Sequence, residues 1–455
     1  MQMKRIFWAW AAMLTLAWAG ATWVGWSSPS DVPGALWWQL RRHGIYLTGI
    51  WSMGMMSLIM LLALRQPWQE RWVGGMDQVY RLHKWAGIAA GATAVMHWAL
   101  KEYTGGWIKT AWGTGGKPVR DAVLAWVTDW RGLSKDVGEW AFYALVVFIV
   151  LTLWQKLLPY KPWRKLHRAM PVLYLALAFH TVALTPLTLW AAPMGPLLAV
   201  LLLIGSGAAV WSLAGKVGQA RSYAARIDSV RLLGDQPGTA PLEVLCALPG
   251  DWPGHRAGQF VFARFDAEEG HHPFTIASAP GACGRAADGA ALVRLVIKPL
   301  GDYTRQLHQR LQPGQTLRIE GPYGHFDGRG DQARQQVWIA GGVGVTPFIA
   351  LLEARQDAAV ADGLLPVAMH YCTRDAAQDG LLPRIQALAA SARPPVVLTV
   401  HDAAQGQFLR PQDLLRHGGA LDIWLCGPAG LGQAVREQAR QQRGWRVHQE
   451  AFQMR

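Results

Sequence analysis

Apolar positions are distributed along this chain in two ways. Through the first 215 residues they form long, nearly unbroken runs, whereas beyond Leu213 to Arg221 short apolar runs alternate with Gly, Pro and charge. Six of the long runs, near Ile6–Val24, Ile45–Leu64, Leu82–Leu100, Trp140–Leu158, Leu166–Leu184 and Met194–Leu213, are long enough to cross ~30 Å of hydrocarbon at ~1.5 Å per residue. The pattern predicts a multidomain membrane protein with an α-helical six-span bundle over 1–215. The first run also reads as a signal peptide, with Lys4 and Arg5 ahead of it and Ala17-Trp18-Ala19 as a small-x-small site, although it is long for one.

In the second half the runs Ala224–Leu232, Leu242–Ala247, Gln259–Arg264, Phe274–Ala277, Leu292–Pro299 and Thr316–Glu320 are strand-length and bounded by Gly and Pro. They predict an antiparallel β-barrel over 221–330. The runs Val337–Ala340, Val367–Tyr371, Val396–Val400 and Ile423–Cys426 then alternate with helical stretches, predicting an α/β nucleotide-binding domain over 333–455.

Charge orients the bundle. The connection after the fourth run carries Lys156, Lys161, Arg164, Lys165 and Arg168 without an acid, and Arg65, Arg71, Arg81 and Lys84 cluster between the second and third. Both connections are therefore expected in the cytoplasm. The segment Lys101–Glu139 balances its bases with acids and carries Trp107, Trp112, Trp126 and Trp130, as an outer interfacial loop would. Six spans return the chain to the cytoplasm, so the soluble half is expected there, at a bacterial inner (plasma) membrane. The formal net charge of +14 is concentrated at the ends of apolar segments, where lipid head groups explain it and no nucleic-acid role is expected. Cys246, Cys283, Cys372 and Cys426 all lie in the soluble half, in keeping with a reducing compartment. No C-x-x-C-H or plant-type iron–sulfur spacing occurs, so any haem is expected to be held by axial ligation alone.

Ionisable residues inside lipid-spanning segments are functional candidates. His83 and His97 are 14 residues apart on the third run, ~21 Å along a helix, and His167 and His180 are 13 apart on the fifth. Both runs point outward, so His83 pairs with His167 at the cytoplasmic level and His97 with His180 at the outer level. Two imidazoles at each of two depths suit two bis-histidine b haems. Gly87, Ala90, Gly91 and Ala94 thin one side of the third run, for a flat macrocycle or for close helix packing. A gap of 13 residues misses its starting face by about 140° on a regular helix, and Pro171 is placed to correct it. His43 is the substitute ligand should His97 or His180 fail. Leu173 and Tyr174, between the two levels, belong either to the core or to an electron route.

In the soluble half, Gly341-Gly342-Val343-Gly344-Val345-Thr346-Pro347 follows a strand and opens a helix, which suits a pyrophosphate. His272-Pro273-Phe274-Thr275-Ile276-Ala277-Ser278 offers an aromatic and hydroxyls for an isoalloxazine. Lys298 with Gly301-Asp302-Tyr303-Thr304 offers charge and open backbone for phosphates.

With these residues in view, the chain resembles the NADPH oxidase and ferric reductase superfamily over nearly its whole length. The likeness rests on the histidine spacings, HPFTIAS, the GDYT run, Gly321-Pro322-Tyr323-Gly324, GGVGVTP and Cys426-Gly427-Pro428. The resemblance implies two b haems on His83, His97, His167 and His180. It implies FAD held by His272, Pro273, Phe274, Thr275, Ser278, Lys298, Gly301, Asp302 and Thr304. Nucleotide is expected at Gly341, Gly342, Gly344, Thr346, Cys426, Gly427 and Pro428. Phe452, Thr275 and Cys426 are the expected catalytic residues, with Phe452 in the place of a flavin-stacking aromatic. Lys298 stands where Arg is frequent, and no EF-hand loop is present, so no calcium switch is expected. Arg374, after the second strand of the nucleotide sheet, favours NADPH with NADH as the alternative. The outer acceptor is expected to be oxygen, reduced to superoxide, or a ferric chelate, with Arg41, Arg42, Lys101 and Lys109 suiting either. A protein or quinone acceptor, or a transporter fused to a reductase without haem, are the remaining readings.

Overall fold

The computed structural model describes residues 2–23, 32–119, 121–154, 160–234, 238–266, 270–357 and 363–449, and the chain divides into two compact units, Met1–Gly218 and Gln219–Arg455. Phe452 and the Asp302 side chain lie outside the described residues.

The first unit is helical. Its long members are α1 (Gln2–Trp23), α2 (Ala35–Leu62), α4 (Met76–Glu102), α6 (Arg131–Leu153), α8 (Met170–Leu184) and α10 (Met194–Leu213). Shorter helices α3 (Pro67–Val73), α5 (Thr104–Trp112), α7 (Tyr160–His167) and α9 (Leu187–Trp190) join them. Four of the described helical segments are long and apolar enough to cross a membrane: Gln2–Trp23, Ala35–Leu62, Ala125–Leu153 and Met194–Leu213. Helices α4 and α8, at the third and fifth of the six expected runs, are not among these four. Helix α4 has 27 residues but carries Asp77, Arg81, Lys84, Lys101 and Glu102, which lower its hydropathy. Helix α8 has 15 residues, ~22 Å at ~1.5 Å per residue, because the chain leaves α-geometry at Arg168 and Ala169 before Pro171 enters the first turn. The neighbours of these two helices hold them in the bundle: α2 packs along α4, and α6 and α10 flank α8.

Tyr174 is fully buried on α8, with its hydroxyl 2.9 Å from Ser57 Oγ on α2 and its ring tip against Gly205 of α10. A Cβ at Gly205 would overlap it. Tyr174 thus packs three helices together.

The second unit contains two sheets. Six antiparallel strands, β1 (Ser222–Leu232), β2 (Leu242–Leu248), β3 (Phe260–Arg264), β4 (His272–Thr275), β5 (Ala291–Ile297) and β6 (Thr316–Tyr323), run in the order β4-β3-β6-β1-β2-β5. A bridge between Ile276 and Leu295 brings the β4 end to β5. Inward residues such as Ile227, Val244, Val261, Leu295 and Ile319 form its core. Helix α11 (Asp302–Arg310) leads from β5 to β6. The second sheet is parallel, ordered β11-β10-β7-β8-β9, with β7 (Gln335–Gly341), β8 (Val367–Thr373), β9 (Val396–Asp402), β10 (Leu421–Cys426) and β11 (Arg446–Gln449). Helices α12 (Thr346–Ala354), α13 (Leu382–Ser391) and α14 (Ala429–Gln441) supply the crossovers. The chain proceeds β7-β8-β9 to one side and returns to place β10 on the other, so the order reverses between β7 and β10. In open α/β sheets ligands enter at that crevice, beyond the carboxyl ends of the strands.

Candidate functional site

The helical unit brings the predicted histidines together in the predicted pairs. The His83 and His167 rings lie 6.1 Å apart and those of His97 and His180 6.5 Å, centre to centre. A metal gripped between two ring nitrogens at about 2 Å each, with each ring centre roughly 1 Å further back, requires about 6 Å. Both spacings fit iron.

The tautomers fit as well. His97 Nδ1 lies 2.9 Å from the carbonyl oxygen of Ile45, and His180 Nδ1 lies 2.7 Å from that of Ser134. A carbonyl only accepts, so each Nδ1 carries the proton and each Nε2 keeps its lone pair for a metal. His83 hydrogen-bonds the backbone of Ile59. His167 stacks on Trp163 at 5.1 Å with Phe148 at 5.3 Å, and its buried Nδ1 has no hydrogen-bond partner among the described residues.

The surroundings leave room on one side and none on the other. A Cβ on Gly87, one turn above His83, would meet nothing within 4 Å. Gly49 on α2 backs His97, where a Cβ would come 3.2 Å from the ring, and Gly138 on α6 abuts His180 so closely that a Cβ would overlap it. Sequence reasoning missed Gly49, Gly138 and the two carbonyls. Single glycines in apolar helices carry no distinguishing pattern, and a backbone acceptor carries no sequence signal at all. His43 is buried against Trp18, at 6.2 Å between rings, and belongs to neither pair.

In the reductase unit the glycine turn and Cys426-Gly427-Pro428 meet at the reversal between β7 and β10. A Cβ on Gly341 would stand 2.5 Å from Pro428 Cδ, and one on Gly344 would overlap the Cys426 carbonyl. Backbone lies against backbone there, which glycine alone permits. Gly342 adopts φ +54°, and a Cβ on it would stand 3.5 Å from Lys298 Nζ, which places that cation beside the turn. Thr346 is buried and donates to Val343 O at 2.9 Å, while Arg374 is exposed at the carboxyl end of β8.

His272, Pro273 and Phe274 are half-buried on β4, with His272 stacked on Tyr303 at 5.1 Å and 16°. Thr304 Oγ1 accepts from the amides of Leu300 and Gly301 at 3.0 and 3.1 Å, at the opening of α11. Thr275 is buried where β4 meets Phe260. Ser278 is fully buried, and its hydroxyl accepts from the Arg294 amide at 3.2 Å, so it serves the sheet. His255 Nε2 donates to Ser278 O at 2.9 Å, and burial draws His255 below its usual pKa.

The chain has relatives at both ends. A family described as the ferric reductase like transmembrane component matches residues 48–178, a span that contains His83, His97 and His167 and stops just short of His180. An FAD-binding domain family matches residues 242–327. The chain has the two-part architecture of the NADPH oxidase and ferric reductase superfamily.

Among curated proteins, the vanillate O-demethylase oxidoreductase of Pseudomonas putida is 32% identical over 33% of this chain and 45% of its own length. The heme-dependent oxidative N-demethylase beta subunit of Ectopseudomonas mendocina is 31% identical over 33% and 45%. The ferredoxin–NAD(+) reductase component of the Xanthobacter autotrophicus alkene monooxygenase system is 33% identical over 36% and 57%. The chain thus spans about half the length of the curated relatives it matches. Among solved structures, the cytochrome b5 reductase domain of Ulva prolifera nitrate reductase aligns over 51% of this chain and 98% of its own at 18% identity, with a TM-score of 0.40.

Proposed function

We propose that this chain moves electrons from cytoplasmic NADPH, through FAD and two b haems, across a bacterial inner membrane to an acceptor outside, and that oxygen is the acceptor. The observation that carries the reading is the pair of facing imidazoles at each of two depths, 6.1 and 6.5 Å apart. When bound, FAD takes a hydride from the nucleotide and releases electrons singly to haems that each carry one.

The chain's own residues then bind and orient. His83 and His167 hold the cytoplasmic-level haem, His97 and His180 the outer one, and the Ile45 and Ser134 carbonyls fix the outer rings. Six crossings, two of them made by α4 and α8, keep both levels within the bilayer. Lys298, Gly301, Asp302 and Thr304 hold the FAD phosphates, and His272, Pro273, Phe274, Thr275 and Ser278 form the segment along its ring. Gly341, Gly342, Gly344, Thr346, Gly427 and Pro428 take the NADPH pyrophosphate, and Arg374 takes its 2′-phosphate. Thr275 and Cys426 are assigned to the hydride transfer, and Phe452, outside the described residues, is assigned to it from the sequence alone. On the outer side Arg41 donates to Lys101 O at 2.7 Å, and Lys101 pairs with Glu139 at 3.4 Å, so bound cations stand beside the outer pair.

A second reading draws on the names of the relatives: one is the ferredoxin–NAD(+) reductase component of an alkene monooxygenase system and another the beta subunit of a heme-dependent oxidative N-demethylase, which favours a protein acceptor. Detergent-purified protein given NADPH and FAD, assayed for cytochrome c reduction with and without superoxide dismutase, separates the readings. Dismutase-sensitive reduction is expected, and insensitive reduction overturns oxygen. A preparation without a reduced-minus-oxidised α-band overturns the haems.

A further inference from the structure

Four charged side chains close into one buried group where the two sheets of the reductase unit meet. Glu353 stands in the last turn of α12, and its Oε1 accepts from Arg294 Nη1 at 2.8 Å and from Arg384 Nη2 at 2.5 Å. Its Oε2 accepts from the amide of Ala279 at 3.0 Å. Arg294, on β5, also donates to Ala277 O at 3.0 Å and pairs through Nε with Glu243 Oε2 at 3.1 Å; Arg384, on α13, reaches that same oxygen at 3.5 Å. The side chains of Glu353 and Arg294 are only 7% and 8% exposed. Two cations thus face two anions, as buried charge demands, with Arg384 partly open to solvent and the exposed Arg231 also pairing with Glu243 Oε1 at 3.0 Å.

The placement of Glu353 gives this group a role beyond cohesion. Ala277 and Ala279 close the segment that begins at His272, and α12 opens at the glycine turn Gly341–Thr346. One carboxylate therefore grips the end of the flavin segment and the far end of the helix that starts at the nucleotide turn. A nine-residue helix is a stiff rod of ~14 Å, so the seating of its last turn sets the position of its first.

Resting on the function proposed above, we propose that Glu353 is a positioning residue for hydride transfer, setting where the nicotinamide stands relative to the flavin while touching neither. In that transfer the nicotinamide C4–H bond breaks and a bond to flavin N5 forms. Two electrons and one proton leave NADPH together as hydride, giving NADP+, and the reduced flavin takes its second proton from water. A displacement of ~1 Å at the reacting atoms costs about 100-fold in rate.

The test uses full-length, detergent-solubilised protein carrying Glu353→Gln, and the double variant Glu353→Gln/Arg384→Gln, which removes one charge of each sign and keeps the group neutral. Three quantities are read: FAD content with NADPH affinity, flavin reduction at saturating NADPH by stopped flow, and hydrogen–deuterium exchange across residues 276–280. The expected result is FAD content and NADPH affinity within about twofold of the parent, exchange at Ala279 accelerated, and flavin reduction slowed by about 100-fold. Glu353→Asp, which keeps the charge, is expected to recover part of the rate. Reduction at the parental rate despite a freed Ala279 amide overturns the proposal, as does a rate that falls only in proportion to lost FAD. A parent protein that neither NADPH nor NADH reduces overturns the proposed function, and this inference with it.

Discussion

Gly138 presses its α-carbon face against the ring of His180, leaving no space for even one methyl group between α6 and that imidazole. The carbonyl of Ser134, one turn earlier on α6, accepts the ring's Nδ1 proton at 2.7 Å. One helix thus both backs and orients the histidine. Replacing Gly138 with Ala is expected to push His180 off its axis and to lose the outer haem, halving the haem-to-protein ratio in a pyridine haemochrome assay. Gly207→Ala, on α10 with nothing within 4 Å, is the control and is expected to change nothing.

The pairing of histidines predicts which double variants behave as singles. His83→Ala and His167→Ala act on one site, so their combination is expected to lose no more haem than either alone. His83→Ala with His97→Ala touches two sites and is expected to leave a protein without a haem spectrum, its flavin absorbance retained. Additivity across the pairs and its absence within them, read from reduced-minus-oxidised spectra, checks the assignment.

Gly344→Ala would drive a methyl group into the Cys426 carbonyl and part the two loops at the sheet's reversal. NADPH affinity is expected to fall at least about tenfold, ~1.4 kcal/mol, with FAD retained. Isothermal titration with NADP+ measures it. Arg374→Ala is expected to erase a similar margin of preference for NADPH over NADH, read from the ratio of kcat/KM values.

A cluster of three imidazoles makes stability depend on pH. His370 lies 3.1 Å through Nδ1 from His401 Nε2 and 3.0 Å through Nε2 from His417 Nε2. Burial first, then the charge of His401 and His417, pulls His370 from its usual 6.5 down to about 4, against the weaker opposing pull of Asp413. The unfolded chain therefore binds the proton more readily. The stability from this group is whole above pH 6.5 and is lost as pH falls toward 4, by up to roughly 3 kcal/mol. Thermal melts of His370→Gln against the parent between those limits are expected to show the flatter slope in the variant.

Much of this molecule is legible because periodicity and burial coincide. Strands such as Val244–Ala247 and Ile423–Cys426 run apolar because both their faces are covered, whereas the reversal of strand order is seen only in the structure. Strand β11 was illegible: Arg446-Val447-His448-Gln449 is a polar edge whose pairing comes from β10. The histidine pairs were visible in spacing alone, yet the angular mismatch of His167 and His180 was resolved only in three dimensions. They occupy two helices, α7 and α8, separated at Arg168 and Ala169, so no single helical phase relates them. The ion group around Glu353 left no trace in the sequence, since its members are separated by as many as 141 positions, from Glu243 to Arg384.

Of the helices bearing these histidines, α4 and α8 are the ones that hydrocarbon alone holds least well: α4 is burdened with charge, and α8 has only 15 residues. Lipid therefore does not secure them; adjoining helices and whatever the imidazoles grip must do so. On the function proposed above, stable insertion of these two helices is expected to depend on haem supply, read as a lower yield of membrane-embedded protein from haem-limited cells.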